Sequence, residues 1–434
     1  MLTPRTTVST RPWIWAISFA LAGLVAVLLL ASPSHRWQPE RVTTAPYGND
    51  FLQEWIGGHL ILTGEAKNLY DSKIFESRQH DPEHIGFQWS TASYFPPVYP
   101  PPHYWLATIL AWIPYRFAAI VWLVLLAIAM SLGAWISAKH VVRFQEIQAD
   151  SIVKNILEKW SWIAIVLFPS SVFCFVMEQK GPFWLLIFAA TWGLLRQNRD
   201  GWAGVVFGLL SIKPTLFFLL PLVMIRYGRW RFVAGVAFSV LVVWGSAFVA
   251  LPIEVWSGFA EKLRMSGTYA GIQGYHLDWS CNLMSIAYVA KAPTDVALLK
   301  WLLVIPLSLY GLWIVAGPTR LKIDHPSSSW NTLVVTFLLS PHAYYYDLVV
   351  MLMPILWYVA IDPKRGIFYY ISLATAVVVA PFVLANLGIP LIPVVLAGLM
   401  VEQRLNCGNF LKIKNWRELD ERVALECTHP LNVG

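Results

Sequence analysis

Asp50 sits in Tyr47-Gly48-Asn49-Asp50-Phe51, just ahead of Phe51, Trp55, His59 and Leu62 at helical spacing. That spacing predicts a short amphipathic helix lying on a membrane surface and ending near Gly64. A carboxylate at a helix start is rigidly aimed, as a general base must be. The same position suits an N-cap, with Gln53 three residues on as its capping-box partner. From the sequence alone the cap is the expected role. Lys213 lies deep in an apolar run, where a lysine costs a few kcal/mol, and Pro214 breaks the helix there. Unless it snorkels to the interface, a cation at such a break is a seat for a phosphate. Lys180, in Glu178-Gln179-Lys180-Gly181, is a similar candidate nearer the interface, with an ordinary loop lysine as the alternative. His342, Tyr344, Tyr345, Tyr346 and Asp347 form a polar break between two apolar runs. An interfacial aromatic belt accounts for the tyrosines but not for His342 or Asp347. His276 and Asp278 occupy a further loop, about 252–281. As two ligands they are too few to specify a metal, and no DxD triad of carboxylates is present. The five prolines between Tyr94 and His103 hold the chain extended and forbid a helix before about His103. That stretch is a stiff connector or one wall of a cavity, which Asn49, Tyr94, Tyr346, Asp347 and Asp278 would help to line.

Positioning these groups falls to apolar helices. Hydrophobic residues make up 57% of the 434 and charged ones 13%, about half the charge of a soluble domain. Mean hydropathy is +0.55. So little polar side chain cannot cover a wetted globule, which leaves an all-α integral membrane protein with many spans. The net charge of +7 is scattered in short clusters between apolar runs. It marks cytoplasmic loops and no nucleic-acid surface. Cys174, Cys281, Cys407 and Cys427 show no metal spacing and no disulfide framework.

The first apolar run, Trp13 to Ala31, follows Arg5 and Arg11. It reads as a retained anchor with its start inside, a cleaved signal peptide being the alternative. Residues 32–102 then lie outside. Further runs cover about 115–138, 161–177, 182–196, 202–226, 232–251, 295–316, 331–361 and 366–400. Basic clusters such as Arg196/Arg199 and Arg226/Arg229/Arg231 can all be cytoplasmic only if 202–226, 331–361 and 366–400 are hairpins. That gives about twelve crossings (range 10–13) with both ends inside, and residues 98–113 become a short helix on the outer side. The membrane domain spans 1–400, and 401–434 is a short cytoplasmic tail.

Several landmarks together resemble the GT-C superfamily of membrane glycosyltransferases, and within it glycosyltransferase family 87, the polyprenol-phosphate-mannose-dependent alpha-1,2-mannosyltransferase-like proteins. They are Asn49-Asp50-Phe51 after the first span and Tyr94-Phe95-Pro96-Pro97 closing the first outer loop. Further along are the Gly204–Pro214 segment ending in Lys-Pro and Ser340-Pro341-His342 with Tyr346-Asp347. Glu178-Gln179-Lys180-Gly181 stands where the family usually has Gly-Gln-x-Asn. The resemblance covers roughly residues 10–400. It implies transfer of a hexose, mannose above all, from a polyprenyl-phosphate donor to a hydroxyl of a glycolipid or glycan, with inversion. The active site would face outward, in a bacterial inner membrane. It also implies Asp50 as general base. Lys213, His342, His276 or Lys180 would neutralise the leaving phosphate without a metal, and no other cofactor is called for. The alternatives are a transporter or flippase, which should show an internal repeat that is absent here, and a non-catalytic scaffold. An O-antigen-ligase-like transferase would carry its large outer loop late in the chain, where this one carries it first.

Overall fold

The computed structural model describes residues 49–91, 94–145, 164–265, 279–283, 285, 305–306, 308–313, 326–340, 342–387 and 389–410. Among them the chain is helical, and its one β feature is an isolated antiparallel bridge between Ser280 and Tyr344. The anchor expected at Trp13 to Ala31 and most of the 295–316 run lie outside the described residues.

In the segment expected to lie outside, called the outer segment below, the first described helix is α1, Phe51–Leu62, followed by two short helices and then α2, Pro101–Ala111. Helix α3 runs from Tyr115 to Gln145. Then come α4 (Pro169–Val176), α5 (Gly181–Arg196), α6 (Asp200–Gly208), α7 (Leu219–Arg226) and α8 (Trp230–Ala250). The described chain closes with α9 (Ile253–Met265), α10 (Pro326–Leu339), α11 (Leu352–Ile361), α12 (Pro363–Leu387) and α13 (Leu391–Phe410). Proline places many of the starts, because its missing N–H is an orphan in the first helical turn anyway. Among the described residues three helices are long and apolar enough to cross a membrane: Tyr115–Ala138, Trp230–Ala250 and Lys364–Leu387. The other apolar helices are shorter, since the expected breaks interrupt them.

Contacts show how the chain doubles back. Gly201 and Gly204 of α6 meet Arg231 and Phe232 of α8, Gly208 meets Ser239, and Trp244 donates to Ser211. The two helices therefore run parallel, so the chain must return between Ser211 and Trp230. Arg229 closes the loop with an ion pair to Asp200 at 3.0 Å. Trp330 of α10 stacks on Tyr369 and meets Tyr358 of α11 edge-on, which turns the 340–347 segment into a tip. Arg365 at the start of α12 reaches Glu402 of α13 at 3.4 Å, and Tyr369 donates to the same carboxylate. Helix α13 continues to Phe410.

Two expectations about the outer segment are corrected. Helix α1 does not lie on a membrane surface: Phe51 to Gly58 and Leu60 are all buried. Its Gly57 and Gly58 let the Tyr104 ring and the Ala107 backbone of α2 approach closely. Helix α2 begins at Pro101, earlier than His103, because Pro101 and Pro102 occupy the first turn where proline is tolerated.

Candidate active site

Four chain segments converge where the outer segment meets the hairpin tips. The first is the Asn49-Asp50 turn and the first turn of α1. Asn49 adopts φ +38°, which Asn tolerates better than most residues. Its Nδ2 donates to the Val176 carbonyl at 2.6 Å, tying the turn to the end of α4. Asp50 has φ −66° and ψ −19° and makes no side-chain cap bond. The expected N-cap is therefore absent: Asp50 is already helical, so its carboxylate does not fold back onto the backbone N–H groups of α1. Gln53 instead accepts from the Tyr104 hydroxyl at 3.3 Å. The Asp50 carboxylate makes no hydrogen bond among the described residues and keeps some exposure.

The second segment is the break between α4 and α5, where Glu178 turns at φ +52°. Lys180 is buried and ion-paired with Glu54, and its Nζ is 3.3 Å from His103 Nε2 and 3.6 Å from the centre of the Tyr99 ring. His103 Nε2 also lies 3.4 Å from Glu54, and its Nδ1 is buried with no partner among the described residues. The third segment is the break at Lys213. Its ammonium donates to Asp347 Oδ1 at 2.5 Å. The fourth is the 342–347 tip. Asp347 is fully buried and its Oδ2 accepts the Tyr344 N–H at 3.2 Å. Gly181 is needed where the Tyr346 carbonyl passes, since a Cβ there would sit 2.9 Å from it and 2.4 Å from Cys174 Sγ. The Cys281 N–H bonds the Ala343 carbonyl at 2.9 Å, pinning the tip.

Burial pushes the Asp50 carboxyl up to about 7; Lys180 pulls against it, Glu54 adds to the rise and Lys213 opposes it. For Glu54, burial raises the carboxyl but Lys180 and His103 outweigh it, leaving it below its ordinary value. Burial, with Lys180 alongside, takes His103 down to about 4, so the imidazole is neutral at pH 7. A carboxylate poised near neutrality, with no hydrogen bond among the described residues, is suited to taking a proton.

Of the residues singled out in the sequence, Asn49, Asp50, Lys180, Lys213, Tyr346 and Asp347 come together. His342 is close by, its ring 4.8 Å from that of Tyr344. Tyr94 makes no hydrogen bond or ring contact with the cluster among the described residues. His276 and Asp278 lie outside the described residues. Sequence reasoning missed Glu54 and the part played by Tyr99 and His103. The available signal was Glu54 itself, a carboxylate inside an otherwise apolar helix and one turn from Asp50. Among the described residues no three His, Cys, Asp or Glu side chains form a group that could hold a metal ion.

No curated protein matches the chain. A match to glycosyltransferase family 87 runs over residues 98–341, taking in His103, Lys180 and Lys213. Because that match covers more than half of the 434 residues, the chain belongs to glycosyltransferase family 87.

Proposed function

We propose that this glycosyltransferase moves a hexose, mannose in our reading, from a polyprenyl-phosphate carrier to a hydroxyl of an envelope glycolipid or glycan. Transfer takes place on the outer side of a bacterial inner membrane, as in GT-C enzymes. One observation carries the reading: Asp50, a carboxylate with no hydrogen bond among the described residues, stands beside two buried lysines where the helix breaks converge. The acceptor oxygen attacks the anomeric carbon opposite the phosphate, and Asp50 takes the hydroxyl proton as the new C–O bond forms. The bond to the polyprenyl phosphate breaks with its electron pair going to phosphate, and the configuration inverts. Lys213 receives the phosphate by exchanging Asp347 for it. Asp347 is held by the Tyr344 N–H, so the flexible lysine stem is the part that moves. His342, and after it His276, are the next candidates for the same task. The lipid tail lies among the membrane helices. No observation favours a transporter or flippase.

The test is mass spectrometry of envelope glycans and glycolipids after deletion of the gene, with complementation. The parent chain should restore a missing hexose and Asp50→Asn should not. Unchanged profiles in the deletion strain would sink the reading, and restoration by Asp50→Asn would move the base to Asp347 or Asp278.

A further inference from the structure

Lys180 differs from Lys213 in how it is held. Lys213 has one carboxylate partner. Lys180 sits in a socket: Glu54 on one side, His103 Nε2 at 3.3 Å on another, and the face of Tyr99 at 3.6 Å on a third. All three socket residues belong to the outer segment, whereas Lys180 belongs to the helix break below it. With the imidazole neutral, Nε2 can accept from Lys180 or donate to Glu54, and either bond keeps the ammonium in place. A cation fixed on three sides is a poor phosphate seat, because leaving would strand Glu54 as a buried unpaired charge. Asp50 and Glu54 are four residues apart on one helix face, so a cation seated on Glu54 also faces Asp50. The groups around Asp50 are Glu54 on its own helix, Tyr99 and His103 from the α2 side, Lys180, Lys213, and Tyr346 with Asp347 from the tip.

We propose that Lys180 is a positioning residue whose charge keeps Asp50 ionised for proton transfer, and that Glu54 and His103 serve to hold that charge in place. The proposal deepens the reading of Asp50 as base and rests on it. It takes Lys180 out of the donor-binding set and gives the buried Glu54 and His103 a task. It also accounts for a carboxylate that stays usable near neutral pH although burial disfavours its charge.

The test needs no donor. The full chain in lipid nanodiscs is titrated from about pH 5 to 9 while the infrared band of protonated carboxyl groups is followed, and the part lost in Asp50→Asn is assigned to Asp50. In the parent the midpoint should lie near 7. In Lys180→Met it should rise by about one unit or more, the usual effect of removing a neighbouring opposite charge. Lys180→Arg should bring it back toward the parent. A Lys180→Met midpoint equal to the parent's overturns the proposal. If that variant does not assemble, a Lys180→Gln midpoint equal to the parent's overturns it instead. Because the readout is independent of transfer, an Asp50→Asn chain that still transfers sugar would sink the base assignment and leave the coupling to Lys180 standing.

Discussion

Asp50→Asn keeps the shape of the side chain and removes its proton acceptor. Transfer should fall by about 10²-fold or more, while the chain folds and inserts. In the parent, transfer should climb as pH rises through about 7, because the working form is the carboxylate. Stability should move the other way. Asp50 ionises near its ordinary value of 3.8 in the unfolded chain and near 7 in the folded one. Stability is therefore withdrawn as pH climbs from the first value through the second. Asn carries no charge, so Asp50→Asn should melt with the parent near pH 4 and above it at pH 8. Thermal unfolding followed by tryptophan fluorescence in nanodiscs checks this, and a gap that shrinks as pH rises contradicts the burial of this carboxyl. Asp50→Ala should cost no capping energy, since there is no cap bond to lose. Asp50 was singled out in the sequence by its place after the first apolar run and by the family resemblance. Glu54 was not, because its partner Lys180 is 126 residues away and leaves no local trace.

The breaks between helices hold one another. Lys213 and Asp347 join two hairpin tips through a buried pair, and removing one partner of such a pair costs about 3–5 kcal/mol by stranding the other. Lys213→Ala should therefore destabilise the chain more than Lys213→Ala with Asp347→Ala. A transfer defect common to both, with folding recovered in the double variant, would separate a role in binding from one in folding. Melting temperature and donor-dependent transfer of the two chains decide it, and equal destabilisation removes the structural role of the pair. The α6–α8 contact makes a second test. A Cβ on Gly204 would lie 2.0 Å from the Phe232 carbonyl, and one on Gly235 2.2 Å from that of Gly201, while Gly245 faces open space. Gly204→Ala and Gly235→Ala should cost about 1–3 kcal/mol by overpacking. Gly245→Ala should gain up to about 1 kcal/mol from helix propensity. The three hairpins could be anticipated because a proline or a charge inside an apolar run is visible in any sequence. The burial of α1 could not, since Trp55 and Phe51 look like interfacial residues until α2 and Tyr115 of α3 are packed against them.

Hairpin ends and hairpin tips sort to opposite ends of the molecule. Asp200 with Arg229, and Arg365 with Glu402, mark one end; Asp50, Lys180, Lys213 and Asp347 mark the other. Between them, 61% of the apolar stretch of Tyr115–Ala138 is buried, against 33% for Trp230–Ala250 and 28% for Lys364–Leu387. The first helix is thus central, and the other two present Leu241, Phe248, Val378 and Phe382 outward, as lipid contact requires. Helix α8 leads from Arg229 to Leu251, after which Gly258 of α9 packs on Tyr70 and Lys262 donates to Ser72. The outer segment therefore lies at the end away from Arg196, Arg199, Arg226 and Arg231. Under the proposed orientation the positive-inside rule would place those arginines in the cytoplasm, and the site with the outer segment outside. Two exposed positions, Lys67 and Gln197, separate the possibilities. Each is changed to cysteine in a chain whose Cys407 and Cys427 are serine, leaving only the buried Cys174 and Cys281. A membrane-impermeant maleimide should label Lys67→Cys in intact cells and Gln197→Cys only after the membrane is opened. The reverse pattern would keep the fold but turn the site toward the cytoplasm, where a nucleotide-linked donor would replace the lipid-linked one. Labelling of both from the same side would contradict a crossing by α8, which runs from Arg229 beside Asp200 to Leu251 and through α9 to the segment that holds Lys67.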